Sequence, residues 1–99
     1  MLYDATTLDL EEVKSTCFSS LSPLKLKTFP KKEKRKYLCL FPIMDVFEAK
    51  RTYTESEVNA LLEAIYEDYC ILRRYLVDYG FIKRTKDGKA YWVSEDVVL

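Results

Sequence analysis

The sequence predicts a small α+β domain, with helices through most of the chain and a β-hairpin near its end. The chain has 99 residues, which is the length of a single domain. Apolar side chains recur every three or four residues in several segments, as they do in amphipathic helices. Near the end, Asp87-Gly88 separates two short runs rich in aromatic and β-branched residues, which is a typical hairpin signal.

The first predicted element is a helix from Asp9 to about Ser20. Four apolar residues recur on one face of it: Leu10, Val13, Cys17 and Leu21. Several serines and Pro23 follow, and these residues favour turns over helix. We interpret residues 1–23 as an N-terminal helical extension of the main domain.

A second helix is predicted to begin near Lys31. Its apolar residues also share one face: Tyr37, Leu40, Phe41, Met44 and Phe47. Pro42 lies inside this pattern, where it removes a backbone donor and collides with the preceding turn. Because the apolar face continues past Pro42, we expect a kink within residues 38–42.

A short edge strand over residues 51–53 is predicted before the third helix. Thr54 and Glu57 form a capping box, in which each side chain satisfies the other residue's backbone amide. The third helix is expected to bury Val58, Leu61, Leu62 and Ile65. A fourth helix is capped by Asp68 and ends at Gly80. It is expected to bury Leu72, Tyr75, Leu76 and Tyr79.

The hairpin follows, with strands predicted over residues 81–85 and 89–93 and with Trp92 closing it onto the helices. From the second helix onward, the order is helix, strand, helix, helix and hairpin. This is the layout of a winged helix-turn-helix, in which the hairpin is the wing. We therefore predict a winged helix-turn-helix-like domain over residues 24–93, with the additional N-terminal helix before it and a C-terminal tail over residues 94–99.

Four segments in this order resemble the family called domain of unknown function 2087. They read LKTFPKKEKRK at 26–36, YTESEVN at 53–59, DY followed by LRRYLVDYG within 68–80, and KDGKAYW at 86–92. Pro42 departs from the family's pattern. The resemblance implies a winged-helix-like domain, found alone or behind an arsenic-repressor-type DNA-binding domain in bacterial regulators. It implies no enzymatic activity and no established ligand, and we expect this chain to be a stand-alone copy.

The charges balance at 16 basic and 16 acidic residues, but they are unevenly distributed. Residues 25–36 carry seven basic residues and one acidic residue. Cations are unfavourable at the start of a helix, so this run indicates a polyanionic partner. Ten basic residues are candidate nucleic-acid contacts, because Lys and Arg neutralise phosphates. They lie before the second helix, on the fourth helix and on the hairpin: Lys31, Lys32, Lys34, Arg35, Arg73, Arg74, Lys83, Arg84, Lys86 and Lys89.

Each of these groups also has a purely structural interpretation. A basic helix start can simply be solvated, and lysines on a hairpin discourage edge-to-edge pairing. Arg74 lies four residues before Asp78, where the two side chains can pair. Glu67 and Asp68 flank the start of the fourth helix, the part that enters the major groove in helix-turn-helix proteins. Any binding is therefore expected to be led by phosphates, with weak sequence preference.

The composition excludes most catalytic chemistry. The chain has no histidine and two glycines, which removes His-dependent triads, most zinc sites and glycine-rich phosphate loops. We predict no catalytic residue, no metal and no cofactor, and therefore a protein that is not an enzyme.

The three cysteines, Cys17, Cys39 and Cys70, fit neither a disulfide framework nor a metal knuckle. We expect reduced thiols in a cytoplasmic protein. No apolar run approaches the ~18 residues that span a bilayer, so no membrane contact is predicted. Cys70 lies near two arginines, where it is either a redox-sensitive thiol or an ordinary exposed one.

Two classes of function remain open at this point. The first is a small bacterial transcription-associated protein that binds DNA or RNA through phosphate contacts. The second is a protein–protein interaction or dimerisation module, which docks onto another regulator or onto itself without touching nucleic acid. Its surface would be the winged-helix face or the segment from Leu8 to Leu21.

Overall fold

The computed structural model describes residues 7–95, in which four helices and five short strands follow one another. They are α1 (Thr7–Cys17), β1 (Phe18–Leu21), β2 (Leu24–Leu26), α2 (Glu33–Met44), β3 (Thr52–Tyr53), α3 (Glu55–Glu63), α4 (Tyr69–Asp78), β4 (Ile82–Arg84) and β5 (Tyr91–Val93). The protein is α+β, as predicted. Of the tail predicted over residues 94–99, only Ser94 and Glu95 fall within the described residues.

The first helix begins two residues earlier than predicted and ends three residues earlier, because a hairpin replaces its predicted last turn. α1 ends at Cys17, and β1 pairs antiparallel with β2. Phe18 lies opposite Leu26 in this pairing, and both side chains are buried. The carbonyl of Cys17 accepts a hydrogen bond from the Lys27 amide (2.8 Å), which ties the hairpin back to the helix. Leu21, which was assigned to the buried face of a helix, is 55% exposed.

The second helix remains a single element through its proline. α2 begins at Glu33, two residues later than predicted, and Pro42 lies two residues before its end. A turn follows in which the amide of Phe47 donates to the carbonyl of Met44 (3.1 Å). The apolar face therefore extends beyond the helix, and Phe47 is buried.

The boundaries of α3 and α4 follow local signals in the sequence. The capping box is confirmed: the amide of Glu57 donates to Thr54 Oγ1 (3.1 Å), and the amide of Thr54 donates to Glu57 Oε1 (2.8 Å). α4 ends as predicted at Gly80, which has a positive φ of 78°. The amide of Phe81 then donates to the carbonyl of Leu76 (2.9 Å), which completes a left-handed helix stop.

The predicted buried faces of these two helices are confirmed at Val58, Leu62, Ile65, Leu72 and Leu76. The other three predicted positions are only partly buried: Leu61, Tyr75 and Tyr79. One core cluster includes residues from α1 to β5, among them Val13, Tyr37, Leu40, Val58 and Tyr91. α1 therefore packs into the same core as the rest of the described chain.

The last three strands form one antiparallel sheet in the order β3-β5-β4. The predicted edge strand is β3, and the predicted hairpin is β4 and β5. The prediction that Trp92 closes the hairpin onto the helices is wrong. Side chains alternate along a strand, so burial of Tyr91 against the core leaves Trp92 on the outer face, where it is 37% exposed. No helix within residues 7–95 is long and apolar enough to cross a membrane.

Candidate nucleic-acid interface

An open groove of about 320 Å³ lies between α4 and the β4–β5 hairpin. It is lined by Cys70, Arg73, Arg74, Val77, Asp78, Arg84 and Tyr91. We call it the α4 groove. Two segments that were predicted separately, the fourth helix and the hairpin, supply its three guanidinium groups. One carboxylate opposes them, so the lining is net positive.

Arg73 is held in place by two side chains of α3. Its guanidinium lies 3.5 Å from the carboxylate of Glu55 and donates to the side-chain carbonyl of Asn59. The Tyr91 hydroxyl donates to the other oxygen of Glu55 (3.1 Å). One carboxylate therefore links α3, α4 and β5. Sequence reasoning missed Glu55 and Asn59, although their spacing of four residues places them on one helix face.

Arg74 lies at the solvent edge of the same groove. Its Nε atom is 3.6 Å from Asp78, which is the ion pair that its spacing in the sequence indicated. The Arg74 side chain is 76% exposed, and exposed pairs of this kind contribute at most about 1 kcal/mol. Arg74 can therefore exchange Asp78 for a phosphate at little energetic cost.

The hairpin distributes its basic residues over two faces. Arg84 lines the α4 groove, whereas Lys83 lies beside Trp92 on the outer face of the sheet. Lys86 and Lys89 are exposed at the turn. The structure thus brings one of the four predicted hairpin residues into the groove.

Asp87 organises the turn between the two strands of the hairpin. Its carboxylate accepts hydrogen bonds from the Thr85 hydroxyl (2.6 Å) and from the Lys89 amide (3.0 Å). These bonds lower the pKa of the Asp87 carboxyl. The Asp87 side chain therefore stabilises the turn, and Lys86 and Lys89 on either side of it are exposed to solvent.

The basic run before and within α2 is partly neutralised by α1. Lys34 lies 3.4 Å from Asp9, and Arg35 lies 3.1 Å from Glu12. Arg35 also donates to the Thr16 hydroxyl (2.7 Å). The predicted run is therefore divided: Lys34, Arg35 and Lys36 pair with carboxylates and Lys25 donates to the carbonyl of Ala64, whereas Lys31 and Lys32 are exposed ahead of α2.

The start of α2 meets α4 at Tyr75. The Lys36 ammonium lies 4.7 Å from the centre of the Tyr75 ring, and the Arg74 guanidinium lies 6.0 Å from it. Lys36 donates to the Tyr75 hydroxyl (3.1 Å) and pairs with Glu33 (3.0 Å), and these contacts raise the pKa of Lys36. Glu33 in turn accepts from the Tyr79 hydroxyl, which together with Lys36 lowers the pKa of the Glu33 carboxyl. The basic start of α2 and the arginines of the α4 groove are therefore neighbours, with the Tyr75 ring between Lys36 and Arg74.

The two residues directly before α4 are acidic, but the first turn of the helix itself holds no acidic residue. Glu67 and Asp68 are both exposed. The prediction that the Asp68 side chain caps α4 is wrong, because Asp68 occupies the cap position but its side chain makes no capping hydrogen bond. Both carboxylates can therefore repel phosphates that approach the N-terminus of α4.

The three cysteines are free, and they differ in their surroundings. Cys17 and Cys39 are buried, and burial raises the pKa of the Cys39 thiol. Cys70 is exposed at the wall of the α4 groove. Among residues 7–95, no group of three or more acidic, histidine or cysteine side chains is placed to hold a metal ion.

These features define a small α+β protein with a basic groove between a helix and a hairpin. Residues 25–93 match a family of uncharacterized proteins conserved in bacteria, DUF2087, and the chain belongs to that family. The match begins within β2 and ends with β5, so α1 and β1 lie outside it. No curated protein and no solved structure matches the chain.

Proposed function

We propose that this protein is a winged-helix nucleic-acid-binding protein associated with bacterial transcription, and that its α4 groove contacts duplex phosphates. One observation carries the proposal: Arg73, Arg74 and Arg84 converge on one groove between the fourth helix and the hairpin. The order of elements supports it, because a helix, a strand, two helices and a hairpin follow one another from α2 onward. Three free thiols fit the cytoplasmic location that we include in the proposal.

The proposed contacts are made to phosphates more than to bases. Arg74 and Arg84 reach the groove from two elements, and both are exposed. Glu67 and Asp68 stand at the end of α4 that reads base edges in helix-turn-helix proteins. Binding would therefore show weak sequence preference and a log–log salt slope of about −0.9 for each phosphate neutralised.

The test is fluorescence anisotropy with a labelled duplex of mixed sequence at several salt concentrations. A variant with Arg73, Arg74 and Arg84 all changed to Gln removes the basic lining of the groove. The charge-matched comparison sets Arg74→Gln with Arg84→Gln against Lys14→Gln with Arg51→Gln, since Lys14 and Arg51 lie outside both the groove and the basic run of residues 25–36. We expect both groove variants to lose affinity and salt dependence, and the control to keep both. Circular dichroism verifies that all three variants remain folded.

A second readout uses the exposed thiol in the groove wall. Bound duplex should slow the reaction of Cys70 with a thiol reagent, because Cys70 lines the same groove as the arginines. Equal affinities of the Arg74→Gln, Arg84→Gln variant and its charge-matched control would overturn the proposed site. Absence of binding to any duplex or single strand at low salt would favour the protein-interaction module instead.

A further inference from the structure

The outer face of the three-stranded sheet carries an exposed tryptophan on its central strand. Trp92 is 37% exposed, and its cross-strand neighbours are Thr52 on β3 and Lys83 on β4. The preceding residue, Tyr91, lines the α4 groove. Because consecutive side chains of a strand point to opposite faces, Trp92 lies on the side of the sheet that faces away from the α4 groove.

A shallow depression of about 290 Å³ surrounds this tryptophan. It is lined by Lys50, Lys83, Trp92, Val93, Ser94 and Glu95. The two ammonium groups exceed the single carboxylate, so the depression is net positive. Lys50 has a φ of 63°, a left-handed conformation that L-residues other than glycine rarely adopt. A strained lysine and an exposed indole therefore share one small site.

We propose that this face binds single-stranded nucleic acid, with one unpaired base stacked on the Trp92 indole and the adjoining phosphates contacted by Lys50 and Lys83. Every base has a π-face, so an exposed aromatic ring beside cations suits an unpaired strand of any sequence. The volume lies at the lower limit of small-molecule sites and matches a single base better than a larger ligand. Bases within a duplex are already stacked and cannot occupy it.

A second copy of this chain is the other occupant to consider, and the charges disfavour it. In a two-fold contact the same patch meets itself, so the lysines of one copy would face those of the other. A polyanionic strand instead meets both ammonium groups with opposite charge. The proposal does not depend on duplex binding in the α4 groove, since the two sites use opposite faces of the hairpin.

Trp92 is the single tryptophan of the sequence, so selective excitation of indole fluorescence reports on this face alone. The probe is an oligo-dT of about eight nucleotides, a length within the usual site size of single-strand binding folds. We expect saturable quenching of Trp92 at low salt. The same oligonucleotide, labelled, should bind Trp92→Ala at least about fivefold more weakly, whereas Trp92→Phe retains an aromatic platform and most of the affinity.

Two further variants distinguish binding at Trp92 from binding in the α4 groove. Lys50→Gln with Lys83→Gln should weaken quenching and flatten its salt dependence, while folding is checked by circular dichroism. The variant with Arg73, Arg74 and Arg84 changed to Gln should be quenched as the wild type is. If the groove variant abolishes quenching, the strand binds in the α4 groove and the proposal is overturned. A lack of duplex binding, by contrast, would refute the proposed function and leave this site intact.

Three other results would show that Trp92 does not bind a single strand. Absence of quenching at low salt, or quenching that is insensitive to both lysine changes, would overturn the proposal. So would a change of Trp92 fluorescence with protein concentration alone, accompanied by dimers in sedimentation velocity. That result would assign the face to a second copy of the chain.

Discussion

The carboxylate of Glu55, at the start of α3, lies 3.5 Å from the guanidinium of Arg73 on α4. The same carboxylate accepts a hydrogen bond from Tyr91 on the hairpin (3.1 Å). A single acidic side chain therefore connects both walls of the α4 groove and neutralises one of its three arginines. Any phosphate that contacts Arg73 must compete with Glu55.

Replacing Glu55 by Gln should increase the affinity for duplex about two- to fivefold, because it removes the counter-ion of Arg73 from a partly exposed pair. Gln can still accept the hydrogen bond of Tyr91, so the groove keeps its shape. Anisotropy at low salt measures the change. Glu48→Gln is the matched control, since Glu48 pairs with Arg51 outside the groove. An equal gain in both variants would show that net charge, and not the groove, controls affinity.

Changing Lys31, Lys32, Lys34 and Arg35 together to Gln should also weaken nucleic-acid binding, but less than loss of the three groove arginines. Lys34 and Arg35 already pair with acids of α1, so their net contribution to a polyanion is reduced. Salt titrations of both variants provide the comparison. A larger loss in the lysine-run variant than in the groove variant would move the main contact to the start of α2.

Leu62→Ala and Leu76→Ala should each destabilise the protein by about 2–5 kcal/mol, the range for large-to-small changes in a core. Both side chains are fully buried at 0% exposure, Leu62 in the last turn of α3 and Leu76 in the last turn of α4. Leu8→Ala is the control, because Leu8 is 81% exposed and its change should stay within about 0.5 kcal/mol. Urea unfolding measures all three. An unchanged midpoint for either core variant would contradict the packing described for α3 and α4.

Gly88→Val should loosen the hairpin while leaving the helices folded. Gly88 has a φ of 71°, which a β-branched residue resists, and a Cβ there would lie 3.3 Å from the Glu55 carboxylate. Gly80→Ala is the comparison, since Gly80 also has a positive φ but has open space around it. We expect faster hydrogen exchange in β4 and β5 for Gly88→Val, with helical circular dichroism retained. Wholesale loss of the helical signal would contradict this.

Acid should remove the contribution of the capping box to stability. The Thr54 amide, which donates to the Glu57 carboxylate, holds the pKa of that carboxyl below its ordinary value. Glu57 therefore stabilises the fold above its unfolded pKa of about 4.3, and this contribution is lost as pH falls through the lower folded pKa. Glu57→Gln should be less stable than the wild type at pH 7, and the difference should shrink toward about pH 3. A constant difference across this range would show that the charge of Glu57 has no role.

Signals within a few residues determined much of the fold. The capping box at Thr54, the helix stop at Gly80 and the hairpin turn at Asp87-Gly88 were all predicted, because each depends on hydrogen bonds between close neighbours in sequence. The hairpin of β1 and β2 was missed. The spacing of apolar residues wrongly predicted that α1 continues through β1. Phe18 instead pairs with Leu26 across the hairpin, and both side chains are buried in the core, which local spacing does not reveal.

The pattern of residues along the chain is enough to predict the class of the fold, the positions of α3, α4 and the last hairpin, and the charged residues available for contacts. Which charged side chains lie close together depends on how the elements pack in three dimensions. Arg73 and Arg84 line one groove, and Glu55 pairs with Arg73, because α3, α4 and the hairpin pack on one core. Trp92 faces outward for the same reason: Tyr91 occupies the core, and the pleat of β5 sends the next side chain to the opposite face.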